Sequence, residues 1–328
     1  MMRRILQSLP AMVLMLTAAT MAWPQKEKSE TESKGLLKIP VWIEADNGQF
    51  WLDGNRQFFK VFVDDRESTL KSFQGPRSPM ILLIVFDTVA DLARVDQART
   101  SLVEVIKKLR PNQWVGLMRA QDGLSVIQEP TADHNLLAEK IKSIQVSGKA
   151  GLMDTLEPVS TLAAGIMRKA NVRLCVLYVT DSGVANYRAD YLNPVVNSSD
   201  SGDLSRRFSD RAIQERMSRM TESLSRFTVP IFILHLEYRT DSTNLAYQSG
   251  LERIASTSGG VALFSRTSDD VASSLESLLK RIQASYFLGV ETDDAKRGNI
   301  KLRIEARKTD GNLPGKISYR EQINLTKK

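Results

Sequence analysis

Cysteine is nearly absent: Cys175 is the only one in 328 residues. A disulfide framework and a cysteine-based zinc cluster are therefore excluded, and no cysteine stands near the N-terminus to accept a lipid. Within its apolar surroundings Cys175 reads as a small buried hydrophobe. Histidine is almost as scarce. His134 begins a helix and His235 lies inside a strand, neither with a motif partner, so both are expected to be structural. The glycine-rich phosphate loops are missing, with no G-x-x-x-x-G-K-[ST] and no G-x-G-x-x-G, and no serine stands in a G-x-S-x-G elbow. These absences remove nucleotide binding and serine-hydrolase chemistry from consideration.

What remains is an ordinary globular composition, 42% hydrophobic and 25% charged, with ample material for a core. The N-terminus is different. Arg3 and Arg4 precede an apolar stretch over 11–21, and Thr20-Met21-Ala22 offers small residues where a signal peptidase cuts. Residues 1–22 read as a secretory signal peptide and the polar residues 23–35 as a flexible leader. The alternative, an uncleaved anchor, is opposed by Pro10 and by an apolar core short of the roughly 20 residues a span needs. Membrane contact is expected only through this segment, if it stays uncleaved, and the chain is expected to be exported, periplasmic or secreted, from a bacterium. The net charge of +7 is concentrated near the C-terminus. There Lys301, Arg303 and Arg307 alternate with Leu302, Ile304 and Ala306, as on the wet face of a strand. Nucleic acid is not an expected partner.

Residues 36–75 read as a β segment, with turns at Asp46-Asn47-Gly48, Asp53-Gly54-Asn55 and Asp64-Asp65-Arg66. Residues 78–284 alternate strand and helix. Strands are expected over 80–86, 114–118, 124–128, 172–180, 229–236 and 261–264, with a hairpin turn at Gln121-Asp122-Gly123. Helices are expected after Asp91 (with Leu92, Val95, Ala98 and Leu102 on its apolar stripe) and over 133–143, 154–170, 245–256 and 269–282. A further helix buries Phe208, Ile213, Met217 and Met220. The polar connection 182–207 is long enough to be functional or disordered. Strands over 285–290, 300–307 and 317–323 close the chain. The alternation implies an α/β, doubly wound Rossmann-like sheet, and the strands of 285–326 are expected to pack with the N-terminal segment as a small β subdomain.

Two of the strands carry the chemistry. The uncharged run 80–86 is of the kind buried on both faces of a parallel sheet, and it ends on Asp87-Thr88-Val89-Ala90-Asp91. The strand over 172–180 ends the same way on Asp181-Ser182-Gly183. Ligands of open α/β sheets bind at such carboxyl ends, and two carboxylates there suit a cation.

The order of these motifs resembles the von Willebrand factor type A (vWA) domain. Its D-x-S-x-S loop corresponds to residues 87–91, its G-G-T-A-L-x-D loop to Gly148-Lys149-Ala150-Gly151-Leu152-Met153-Asp154, and its T-D-G loop to Thr180-Asp181-Ser182-Gly183. The flanks, Phe58 to Phe73 and Tyr286 to Tyr319-Arg320, are similar to the entry and closing segments of the VWFA-related Acidobacteria domain family. The resemblance implies a vWA sheet and a metal-ion-dependent adhesion site at its upper rim, here degenerate. Val89 and Asp91 stand where the family has coordinating serines, and Ala150 stands where it has threonine.

The candidate metal ligands are therefore Asp87, Asp91 and Asp181, with room for no more than a weak Mg²⁺ or Ca²⁺ site. Asp91 is equally well placed to cap the helix that follows. Thr88, Lys149, Ser182 and Gly183 are the expected contacts with a protein partner, whose identity the sequence does not give. The expectation is a non-enzymatic binding or adhesion-type module. The alternatives are a structural envelope scaffold or a metal-dependent phosphatase-like enzyme. The last needs a second acid two positions after its nucleophilic Asp, and Val89 stands there.

Overall fold

The chain enters and leaves through antiparallel β-strands and alternates strand with helix between them. A computed structural model describes residues 36–325 except 90, 185, 187–209, 292–297 and 309–310. The expected signal peptide and leader, and most of the 182–207 connection with Phe208, lie outside the described residues. The first strands are β1 (Leu36–Glu44), β2 (Phe59–Val63), β3 (Arg66–Ser68) and β4 (Leu70–Gln74). The alternating part runs β5 (Met80–Asp87), α1 (Leu92–Ile106), β6 (Gln113–Arg119), β7 (Ser125–Thr131), α2 (His134–Lys142), α3 (Leu152–Lys169) and β8 (Arg173–Thr180). It continues with α4 (Asp210–Leu224), β9 (Ile231–His235), α5 (Ser242–Ser258), β10 (Ala262–Phe264) and α6 (Asp269–Gln283). Last come β11 (Tyr286–Glu291), β12 (Gly298–Ala306), β13 (Lys316–Tyr319) and β14 (Gln322–Leu325).

Strands β5 and β8 are buried at every position and pair in parallel from Met80↔Arg173 to Asp87↔Thr180. They form the middle of a six-stranded sheet in the order β10-β9-β8-β5-β6-β7. All its pairs are parallel except β6–β7, the hairpin at the edge. Helix α1 contacts α2 and α6, and α4 contacts α3 and α5, as the two faces of a doubly wound sheet require. From β5 the chain winds one way to β6, and from β8 the other way to β9. The topological switch point lies between β5 and β8, where such folds bind their ligands.

Below this sheet, the two ends of the chain form a β-sandwich. One sheet has the order β13-β1-β11-β4 and the other β14-β12-β2-β3. Ile39, Val41, Ile43, Val61, Leu288, Leu302 and Ile304 lie in the core between them. Alternation in β1 implies one wet face, but seven of its nine residues are buried. The reason is that its second face packs on the α/β layer. Lys38 donates to the carbonyls of Met167 and Ala170 at the C-terminus of α3 (2.7 and 2.9 Å), and Trp42 Nε1 donates to the Arg281 carbonyl of α6 (2.8 Å). The expected single strand over 317–323 is two strands, β13 and β14, in different sheets. Between them Arg320 is buried and donates to the carbonyls of Ser225 and Phe227 (both 2.5 Å) just past α4. Cationic and indole donors from the sandwich thus satisfy the last carbonyls of three helices.

The β2–β3 turn has a testable weakness. Asp64 and Asp65 both have positive φ (48° and 63°), the conformation for which such tight hairpins favour Asn-Gly or Asp-Gly. Asp64 has a compensating role, since its carboxylate accepts the Lys301 N–H (3.0 Å). Asp65→Gly is expected to stabilise the fold by about 0.5–1 kcal/mol through relief of left-handed backbone. A thermal melt showing no gain would contradict this.

Candidate functional site

Asp87 closes β5 at the switch point with its side chain fully buried. One carboxylate oxygen accepts the Gly151 N–H (2.7 Å) and the other the Thr180 hydroxyl (3.0 Å). The Leu152 N–H and the Ser182 hydroxyl reach the same group. Burial pushes its pKa up, and these four donors pull against that shift. Asp181, on the neighbouring strand end, is nearly buried. Its two oxygens accept the N–H groups of Val89 (2.7 Å) and Asp91 (3.0 Å). The two acids therefore tie three loops together: Asp87 holds the loop that opens α3, and Asp181 holds the loop that opens α1.

Asp91 does not join them. Its Oδ1 accepts the Arg94 N–H (3.1 Å) as the N-cap of α1, and its Oδ2 pairs with Arg94 Nε (3.1 Å). Arg94 in turn donates to the Leu236 carbonyl (2.7 Å) at the end of β9, which fixes the cap against a third strand end. Of the three expected ligands, the structure brings Asp87 and Asp181 to adjacent strand ends and turns Asp91 toward its helix. Among the described residues, no group of three or more His, Cys, Asp or Glu side chains is arranged to hold a metal ion.

Two of the expected partner contacts need correction. Thr88 and Ser182 are fully buried. Thr88 lies under Gln121, whose amide donates to its carbonyl (2.7 Å), and the Ser182 hydroxyl is 2.8 Å from Thr180 Oγ1. Neither can touch a partner in this conformation. Lys149 is exposed, and Gly183 is half-buried with its N–H on Asn186 Oδ1 (2.7 Å).

Gln121 and Asp122, read in the sequence only as hairpin-turn residues, are part of the site. Asp122 has φ +55°. Its N–H donates to the Lys149 carbonyl (3.1 Å) and its carboxylate accepts the Lys149 N–H (2.8 Å), which locks the β6–β7 turn to the 147–151 loop. A turn aspartate that tolerates left-handed backbone is common, and nothing in its spacing marks the partner loop. His235 is likewise expected to be structural. Its Nε2 lies 2.9 Å from the Ser182 carbonyl and its Nδ1 accepts the Glu237 N–H (3.1 Å). Burial lowers its pKa, so the ring is neutral with the proton on Nε2. His134 Nε2 lies 3.1 Å from the Gln113 carbonyl.

No family model matches the chain, and no curated protein sequence matches it. Solved structures do. A von Willebrand factor type A protein from Catenulispora acidiphila is similar at 10% identity over 92% of this chain and 76% of its own (TM-score 0.43). An aerotolerance-related membrane protein from Bacteroides fragilis is similar at 13% identity over 62% of this chain and 98% of its own (TM-score 0.38). The PilB minor pilin from Streptococcus sanguinis is similar at 14% identity over 67% and 64% (TM-score 0.45). The vWA-like architecture itself is read from the strand order, the switch point and the three loops that meet there.

The cation that the vWA resemblance implies has few atoms to bind. Mg²⁺ requires six oxygens in near-octahedral array, and Ca²⁺ six to eight. Val89 and Ala150 offer no side-chain oxygen, and the carboxylates of Asp87 and Asp181 already accept protein N–H and O–H donors. One buried acceptor at the site, Gln121 Oε1, has no hydrogen-bond partner. A single neutral amide oxygen is not a ligand set for a divalent ion. The residues present do not fit the group.

Proposed function

We propose that this chain is an exported, non-enzymatic module that binds a protein partner through the upper rim of its vWA-like sheet. The observation that carries the reading is the rigid convergence of three loops at the switch point, held by Asp87 and Asp181. Apolar side chains stand exposed in first helical turns on the same rim: Leu92 is 62% exposed and Leu245 37%. The apolar period of α1 places Leu92 in the core; its exposure instead makes it, like Lys149, a contact candidate. The strand-end acid that a phosphatase-like enzyme would use as its nucleophile is buried and bound by four donors. That arrangement favours binding over catalysis.

The test is a crosslinked pull-down from bacterial envelope extract, comparing wild type with Leu92→Glu/Leu245→Glu. Surface changes of this kind leave stability within about 0.5 kcal/mol. A protein captured by wild type and lost from the double variant is the expected result. Equal capture by both, or capture by neither, would overturn the assignment of the rim.

A further inference from the structure

We infer that the upper rim is held in its docking shape by hydrogen bonds alone, so that partner binding there is not gated by a divalent cation. This rests on the rim being the docking surface. In an adhesion site a cation gathers carboxylate and hydroxyl oxygens from three loops and thereby sets their relative positions. Here main-chain N–H groups do the gathering. Both oxygens of Asp181 are taken by Val89 and Asp91 N–H at 2.7 and 3.0 Å, and those of Asp87 by Gly151 N–H and the Thr180 hydroxyl at 2.7 and 3.0 Å.

The substitutions in the loops agree with this exchange. Val89 is packed against the hydrophobic core rather than facing an ion. Ala150 is buried, and Gly151 beside it brings its N–H to Asp87 with no room for a side chain, since a Cβ there would lie 1.8 Å from the Ala120 carbonyl oxygen. The acid at the second serine position, Asp91, is spent on the helix cap and on Arg94. Each Asp181 oxygen already spends a lone pair on a charge-assisted hydrogen bond, and positions 89 and 150 supply no side-chain oxygen to complete the shell a divalent cation needs. Hydrogen bonds to Asp87 and Asp181 set the geometry of the site instead.

The experiment uses the full mature chain in EDTA and in saturating Mg²⁺, Mn²⁺ or Ca²⁺. Three readouts are taken: the melting temperature, calorimetric titration with each metal, and hydrogen exchange of the Val89, Asp91 and Gly151 amides. The inference expects no metal-dependent heat, no shift in melting temperature, and the same slow exchange of these amides in EDTA as in metal. A saturable rise in melting temperature, or amide protection that appears only with a cation, would overturn it. Asp181→Asn adds a second arm. Its amide can accept only one of the two N–H bonds, so the variant is expected to melt lower by the same amount in EDTA and in Mg²⁺. A deficit seen only with Mg²⁺ would count against the inference. The wild-type readings stand even if this variant does not fold. Because they use no partner, failure of the pull-down above and failure here are separate results.

Discussion

Replacing Arg173 by Met is expected to cost about 4 kcal/mol and to break the single thermal transition into two. Arg173 is fully buried at the start of β8. Its Nη1 donates to the carbonyls of Gln283 and Ser285 (both 2.9 Å) and its Nη2 to those of Pro76 and Ser78 (2.7 and 3.0 Å). These carbonyls belong to the two connections between the sandwich and the α/β layer, one on each side of the alternating region. One guanidinium therefore clamps both crossings. Removal leaves several buried acceptors unsatisfied at about 1–3 kcal/mol each, partly offset by the relief of burying a charge. Its pKa, pulled down to about 10 by burial, still leaves it charged at neutral pH. The check is calorimetry: one cooperative peak in wild type, and in the variant a lower, split or broadened one. A single peak within a degree of wild type would show that the clamp is dispensable. Arg173→Lys should recover part of the loss, because a single ammonium cannot span both connections as the planar fork does.

Gly151→Ala is expected to be nearly as damaging, by roughly 3 kcal/mol, at the upper end of the overpacking range. The new Cβ would lie 1.8 Å from a main-chain oxygen, Ala120 O, which cannot rotate away as a side chain would. The loop must retreat, and its retreat withdraws the N–H that Asp87 accepts. The φ of Gly151 is −123°, ordinary for any residue, so the cost comes from space alone. Thermal unfolding should show a fall of roughly 6 °C or more. Exchange at the Gly151 and Val89 amides separates two causes. Faster exchange at Gly151 alone means a local retreat, whereas faster exchange at both means that the two acids act as one unit. A melting temperature equal to wild type would remove Gly151 from the argument.

The parts of the fold most legible in the sequence are those set by local pattern. The uncharged run of β5 and its abrupt end on Asp87 mark a central parallel strand, because only burial on both faces suits seven consecutive apolar residues. Gln121-Asp122-Gly123 marks the edge hairpin through its need for positive φ, found at Asp122 and Gly123. Other features depended on tertiary partners. Leu92 fits the helical period of α1 yet is exposed at the first position of the helix. Lys38, Pro40 and Trp42 look like the outer positions of an alternating strand; helix C-termini, and for Trp42 also Phe232 of β9, pack against them and bury them. At the site, the sequence indicates that Asp87 and Asp181 are neighbours. It does not indicate that Thr88 and Ser182 are sealed inside, since short polar residues read as surface whenever their hydrogen-bond partners come from distant loops.

The placement of β1 has a consequence for the order of folding. Its neighbours are β11, in the register Leu36↔Glu291 to Val41↔Tyr286, and β13, in the register Val41↔Tyr319 to Glu44↔Lys316. Apart from a short bridge between Glu44 and Phe50, the strand partners of β1 among the described residues lie more than 200 positions away in sequence. Contacts of such long sequence separation form slowly, so this sheet of the sandwich is expected to close late in folding, after the local strand–helix units of the α/β layer.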